Sequence, residues 1–303
     1  MSAAEAPRYE VLCCAAMGAD LVFSGLDSFP APGREAYSQG FAIMPGGGAN
    51  TPYALHRLGL KAALVSGLGA DELGGILRRF LENEGLATEG LVPAVGTAVS
   101  AVMPFAGDRG FATWLPPTDW DAIARRLRQM LPHSGLLHTS SYNCAHLDIA
   151  ELCEGTPFTV DACWHDELTL ARLEKTLRHC RVFFINEAEL EKLTEETDRE
   201  KALQLLAGCT RTIVLKLGAE GCVLCENGQQ TALPALHAGG AVDATGAGDA
   251  FCAGFLYGLA RGCGLEECGR LANACGAVAV AQTGGLARGL TRQQAHGLAG
   301  VGL

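Results

Sequence analysis

Short, continuously apolar runs alternate along this chain with longer stretches whose apolar residues recur at helical spacing. The apolar runs predict strands at residues 11–16, 62–66, 136–139, 158–160, 182–185 and 212–217. The periodic stretches predict helices at 51–58, 72–84, 120–130, 146–153, 168–179 and 199–207. Strands that are apolar on both faces and separated by helices belong to a parallel sheet covered on each side, so the fold class is α/β. Past Leu217 the pattern changes to two short strands, at 222–225 and 230–233, and then to two long apolar helices, at about 247–261 and 265–282. No internal repeat or low-complexity linker divides the chain, and one domain spanning residues 1–303 is expected.

Two segments break the alternation. Residues 21–43 and 91–115 are rich in Gly, Pro and β-formers and have no helical period. Each is expected to supply strands to a small second layer. Its apolar residues, Val22, Phe23, Val99, Val102 and Phe105 among them, fit a lid over a cleft or a subunit contact. Ordinary surface hairpins would show the same pattern.

Composition narrows the class. Apolar residues make up 49% of the chain, enough for a large packed core. No apolar run reaches the roughly 18–20 residues that span a bilayer. The stretch from Met1 to Glu10 carries acidic residues and Pro7 in place of a signal-peptide pattern, so a cytoplasmic protein is expected, with no membrane partner. Acidic residues outnumber basic ones by 33 to 23, for a net charge of −10, which argues against a nucleic-acid partner. An anionic small ligand remains compatible, because backbone N–H groups bind phosphate without net positive charge. The thirteen cysteines are an odd number scattered through apolar stretches, as expected of small buried hydrophobes in a reducing compartment. Cys222 and Cys225 form a C-x-x-C, but on a strand positions three apart face opposite ways, and no second pair accompanies them.

The densest chemistry lies at Val242-Asp243-Ala244-Thr245-Gly246-Ala247-Gly248-Asp249-Ala250-Phe251. Small side chains at a helix start let successive N–H groups converge on one point, which also carries the positive end of the helix dipole. Such donors stabilise the charge that spreads over a phosphoryl group in transfer. Asp249, in the first turn, is placed to take the proton of an attacking hydroxyl beside that point, although the dipole alone would favour an acid there.

A second small-residue cluster, Pro45-Gly46-Gly47-Gly48-Ala49-Asn50, allows close backbone approach to a ligand and ends in a donor–acceptor amide; a flexible loop with an N-cap Asn is the plainer alternative. The Gly-Lys-Ser/Thr of a P-loop is absent from the sequence. Gly67-Leu68-Gly69 reads as a tight strand-to-helix turn, since the next glycine, Gly74, comes too late for a dinucleotide fingerprint.

Taken together, these residues resemble the ribokinase (PfkB) family of carbohydrate kinases over nearly the whole chain, from Gly18-Ala19-Asp20 to the last helices. Its two signatures are matched by Gly46 to Asn50 with Leu64-Val65-Ser66-Gly67-Leu68-Gly69, Asp71 and Gly74, and by Asp243 to Asp249. The resemblance implies a ribokinase-like three-layer sandwich with a mostly parallel central sheet and a small β lid. It implies ATP as donor, Mg2+ as bridging ion and a sugar as acceptor; the apolar lid strands point to a homodimer. It further implies Asp249 as base over an anion hole of Gly246, Ala247 and Gly248, and Asp20, Gly46, Gly47 and Asn50 as sugar contacts. Asn186 and Glu189 match the family's N-x-x-E motif, which organises magnesium and phosphate, and at i and i+3 they would share one helix face.

Lys216, Gly218 and Gly221, in Lys216-Leu217-Gly218-Ala219-Glu220-Gly221, resemble the family's turn beneath the nucleotide. There Lys216 reads either as a phosphate contact or as a strand-end lysine. Asn273 falls where the family walls the adenine pocket. Many members bind a monovalent cation near the anion hole; Asp243 and Thr245 mark that place here. Arg288 stands where a small residue is usual, so its guanidinium would replace the ion or point to solvent. A nucleoside kinase, with Phe23, Phe41, Phe105, Phe111 and Trp114 for stacking, and a sugar sensor without catalysis are the alternatives. Arg34 and Arg109 would meet an anionic acceptor.

Overall fold

The structure, a computed structural model, describes residues 6–105 and 108–302, with side chains described outside residues 104–109. The side chains of Phe105 and Arg109 therefore lie outside the described part. In chain order the strands are β1 (Val11–Cys14), β2 (Met17–Ser24), β3 (Gly40–Gly47), β4 (Ala62–Gly69), β5 (Leu91–Ala94), β6 (Ala98–Phe105) and β7 (Asp108–Trp114). They continue with β8 (Leu137–Ser140), β9 (Phe158–Asp161), β10 (Val182–Asn186), β11 (Thr212–Lys216), β12 (Cys222–Glu226) and β13 (Gln229–Leu233). The helices are α1 (Asn50–Arg57), α2 (Glu72–Asn83), α3 (Trp120–Met130), α4 (Ser141–Cys144), α5 (Ile149–Leu152) and α6 (Leu170–Leu177). After them come α7 (Glu187–Thr194), α8 (Arg199–Ala207), α9 (Ala247–Ala260), α10 (Leu265–Val280) and α11 (Arg292–Ala299).

The large sheet runs β13-β12-β11-β10-β9-β8-β1-β4-β5. It is parallel from β11 to β5, and β12 and β13 close it with antiparallel pairs. Successive strand residues fall into two different cores, as period-2 side chains must. Val11 and Cys13 join one, while Leu12 and Cys14 join the other. Phe184 and Val214 are likewise separated from Phe183, Ile185, Ile213 and Leu215. Cys222 and Cys225 follow the same rule and lie in opposite cores. Residues of α1, α2, α9, α10 and α11 fill the first core, and those of α3 to α8 fill the second. The approach of α9 to α10 depends on small residues: a Cβ on Gly254 would stand 2.5 Å from the Leu271 carbonyl oxygen.

The small sheet runs β3-β2-β6-β7, with β2 and β6 parallel and the other pairs antiparallel. Both irregular segments contribute to it. Residues 91–94, however, join the large sheet as β5, because Leu91 and Val92 are buried beside β4. Of the helix expected at 146–153, only the single turn α5 forms, and another turn, α4, precedes it. Asp148 starts α5 by accepting the Glu151 N–H, while the His146 and Leu147 N–H groups finish the preceding turn on the Asn143 carbonyl. Among the described residues, no helix is long and apolar enough to cross a membrane.

Candidate active site

The carboxyl ends of β1, β9, β10 and β11 converge with the N-terminus of α9, the edge where open α/β sheets take their ligands. Asp249 sits in the first turn of α9. Its Oδ2 accepts from Asn50 Nδ2 at 3.0 Å and its Oδ1 from Thr51 Oγ1 at 3.1 Å, so the start of α1 orients the carboxylate. Burial raises the Asp249 pKa against those two bonds, and the charge of Asp161 adds to the rise. Asn50 is itself buried, and its Oδ1 has no hydrogen-bond partner among the described residues. A buried acceptor in that state needs a donor that the described residues do not supply.

Asp20, on β2, completes this side of the site. Burial, helped by the Asp249 charge, pushes its carboxyl up to about 6. Its partner strand approaches so closely that a Cβ on Gly46 would overlap the Asp20 carboxyl group, 2.1 Å from Oδ2. Gly47, the next residue, turns with φ 56° against the Ala16 carbonyl. The structure thus brings Asp20, Gly46, Gly47, Asn50 and Asp249 to one place, from four elements.

The turn before α9 is held from both sides. Gly246 has φ 72°, and a Cβ there would stand 2.0 Å from the Gly285 carbonyl oxygen, so only glycine fits. Asp243 accepts from Thr245 N at 2.8 Å, Thr245 Oγ1 at 2.6 Å and Gly284 N at 2.8 Å, tying the two loops together. Arg288 is exposed, as the second of its two expectations has it, and its guanidinium lies over the Phe80 ring, 5.5 Å from the centroid. Aromatic attraction on α2 holds it there.

Beyond Gly248 opens a cleft of about 480 Å3. Lys216, Gly218 and Gly221 border one side; Phe251, Asn273, Gly276 and Val280 wall the apolar remainder. Asn273 is buried, and its Nδ2 donates to the Pro234 carbonyl at 3.0 Å. Lys216 Nζ pairs with Asp161 Oδ1 at 2.7 Å. Burial opposes the ammonium, but the carboxylate of Asp161 and, behind it, that of Glu189 outweigh it, and the lysine pKa rises.

The N-x-x-E pair is organised differently from expectation. Asn186 precedes α7 as its N-cap, and the two residues bind each other reciprocally: Glu189 N donates to Asn186 Oδ1, and Asn186 N donates to Glu189 Oε2, both at 2.9 Å. That is a capping box, which needs this spacing for its own reasons. Glu189 is nevertheless buried near Lys216 and Asp161, and burial raises its pKa.

Two site residues escaped the sequence reading. Thr51 looked like an ordinary helix start. Asp161 stands one residue past an expected strand, where a carboxylate at a strand's carboxyl end is the available signal.

A family model described as pfkB family carbohydrate kinase matches residues 16–290. An uncharacterized sugar kinase of Archaeoglobus fulgidus is 31% identical over 236 residues, covering 72% of this chain and 91% of its own length. Fructokinase-1 of Oryza sativa subsp. japonica is 28% identical over 281 residues, covering 83% and 87%. In structure, the Methanocaldococcus jannaschii nucleoside kinase superposes with a TM-score of 0.80 at 20% identity, over 98% of this chain and 99% of its own. The Arabidopsis thaliana ribokinase complexed with ribose and ATP gives 0.80 at 23%, over 97% and 99%. The fold is thus the ribokinase fold, and the chain belongs to the pfkB family of carbohydrate kinases, which are phosphotransferases.

Proposed function

We propose that this protein transfers the γ-phosphoryl group of ATP to a hydroxyl, most simply a primary one, of a small sugar. The observation that carries the reading is Asp249 itself: a carboxylate beside the small-residue start of α9, oriented by Asn50 and Thr51 and facing Asp20. Asp20, Gly46, Gly47 and the unpartnered Asn50 Oδ1 hold the acceptor, and the small sheet acts as its lid. Asp249 takes the hydroxyl proton as the acceptor oxygen bonds to phosphorus; the bond to the β–γ bridging oxygen breaks, and ADP departs. The N–H groups of Gly246 and Gly248 receive the charge that builds on the moving phosphoryl oxygens, joined by that of Ala247 when it gives up its 3.3 Å bond to the Ala244 carbonyl.

An adenine nucleotide fits the 480 Å3 cleft, which is apolar around Phe251, Val280 and Asn273 and opens onto the helix N-terminus. Lys216 meets its phosphates above the Gly218–Gly221 turn. Mg2+ would supply charge neutralisation between donor phosphates; the Glu189 carboxylate, with Asn186 as its brace, is the group that would hold it. Asp243 and Thr245 we assign to the loop tie and not to a monovalent cation, because the Asp243 carboxylate already accepts three hydrogen bonds.

An ATP-consumption assay over fructose, ribose, other small sugars and adenosine tests the reading. Turnover with a sugar is expected. Turnover with adenosine alone would move the acceptor to nucleosides, and ligand binding without any turnover would make the protein a sensor.

A further inference from the structure

Asp161 ends β9 and Lys216 ends β11, with β10 between them. Lys216 is in register with Asn186 on β10, so its side chain crosses a whole strand to reach Asp161. Both side chains are largely buried, 15% and 19% exposed. Among the described residues, Asp161 is the one hydrogen-bond acceptor of the ammonium. On the other side of the ammonium lies the start of α9: a Cβ on Gly248 would be 3.8 Å from Nζ. Asp161 Oδ2 is in turn approached by the Cys252 thiol at 3.6 Å, one turn along α9.

A buried ion pair is a poor stability device, because desolvation cancels most of its attraction and apolar replacements often do as well. Its value lies in where it puts a charge. The lysine stem is long and flexible, and two other carboxylates, Glu189 and Asp249, interact electrostatically with this ammonium. Without Asp161 the ammonium would be drawn onto one of them, and on Asp249 it would occupy the base. We propose that Asp161 is the positioning residue of Lys216, holding the ammonium at the Gly248 end of the anion hole, towards the transferred phosphoryl group and away from Asp249. The inference rests on the phosphoryl-transfer reading above.

Steady-state kinetics of Asp161→Asn, Asp161→Glu, Lys216→Met and the double variant Asp161→Asn/Lys216→Met test it, with ATP and fructose, or the panel sugar that the wild type turns over. Asp161→Asn should lower kcat/KM for ATP on the order of 10²-fold, the scale of a misplaced catalytic contact, and leave the acceptor KM unchanged. Asp161→Glu should recover part of the loss. The double variant should be no slower than Lys216→Met, because no ammonium is left to position. It also leaves neither member of the Lys216–Asp161 pair as a lone charge, so it provides a folded comparison even where Asp161→Asn does not fold.

Losses that multiply in the double variant, or a lowered melting temperature with wild-type kinetics, would overturn the proposal and leave a structural pair. A wild-type protein inactive on every acceptor would remove the kinase reading and this inference together. Wild-type turnover with indifferent Asp161 variants would remove the inference alone.

Discussion

Asp20 and Asp249 come from β2 and α9, yet the charge of Asp249 helps to raise the Asp20 pKa. Asp249 is the stronger chemical claim. Replacing it by Asn keeps the shape and removes the base, so Asp249→Asn should lower kcat by ~10²–10⁴-fold while ATP binding, measured by calorimetry, stays intact. Near-normal turnover would sink the assignment.

Asp20 gives a pH signature. Its carboxyl is pushed up to about 6, so it is protonated below that pH and no longer accepts well from a sugar hydroxyl. The acceptor KM should rise as pH falls below about 6, and in Asp20→Asn that inflection should vanish. Stability runs the other way. A raised carboxyl pKa stabilises the fold fully below the ordinary value of 3.8, and that contribution is lost as pH rises through about 6. Buried His138, pushed down to about 4, destabilises the fold over the same acid range. The difference in melting temperature between wild type and Asp20→Asn isolates the Asp20 part. Of these residues, Asn50 and Asp249 were legible in the sequence because each ends a run of small residues, and Asp20 through the family resemblance. Thr51 and Asp161 were not: Thr51 follows the glycine run but reads as an ordinary helix start, and Asp161 has no unusual neighbour along the chain.

At the scale of elements, the start of α9 is shaped by a loop forty residues later. Asp243 joins Thr245 to Gly284, and Gly285 closes on Gly246. Asp243→Ala should cost at least about 1.5 kcal/mol, the scale of one hydrogen bond to a charged group, and should slow turnover by loosening the anion hole. Exchange of potassium for a large organic cation should leave wild-type turnover unchanged; a loss on exchange would place an ion at Asp243. The Asn186–Glu189 spacing shows how a motif can be ambiguous. A capping box and a cofactor motif demand the same residues at the same separation, so only the observed bonds reveal that capping is in force. Likewise β5 left the irregular segment for the large sheet because burial beside β4 outweighed the lack of a clean periodic signal.

Across the whole molecule, the small sheet and its connections leave Tyr37, Phe41, Phe111 and Trp114 exposed. We infer that a second copy of the chain covers part of this surface. Sedimentation should show a dimer that Phe41→Glu with Trp114→Glu reduces to a monomer, and a wild-type monomer would refute it. The parallel sheet, its two cores and the helix that follows the glycine-rich turn were determined by the sequence alone. Alternation and periodicity are local, and burial on both faces leaves apolar runs that can be read directly. The glycine-rich run proposed as the anion hole is local too, although the Gly284–Gly285 loop shapes its turn. What only the tertiary structure decided is which side chains meet there. Sheet order brings Lys216 across β10 to Asp161, and the packing of α1 against α9 brings Asn50 and Thr51 to Asp249. Those partners lie between 55 and 199 residues apart in the chain, a separation at which no local pattern carries information.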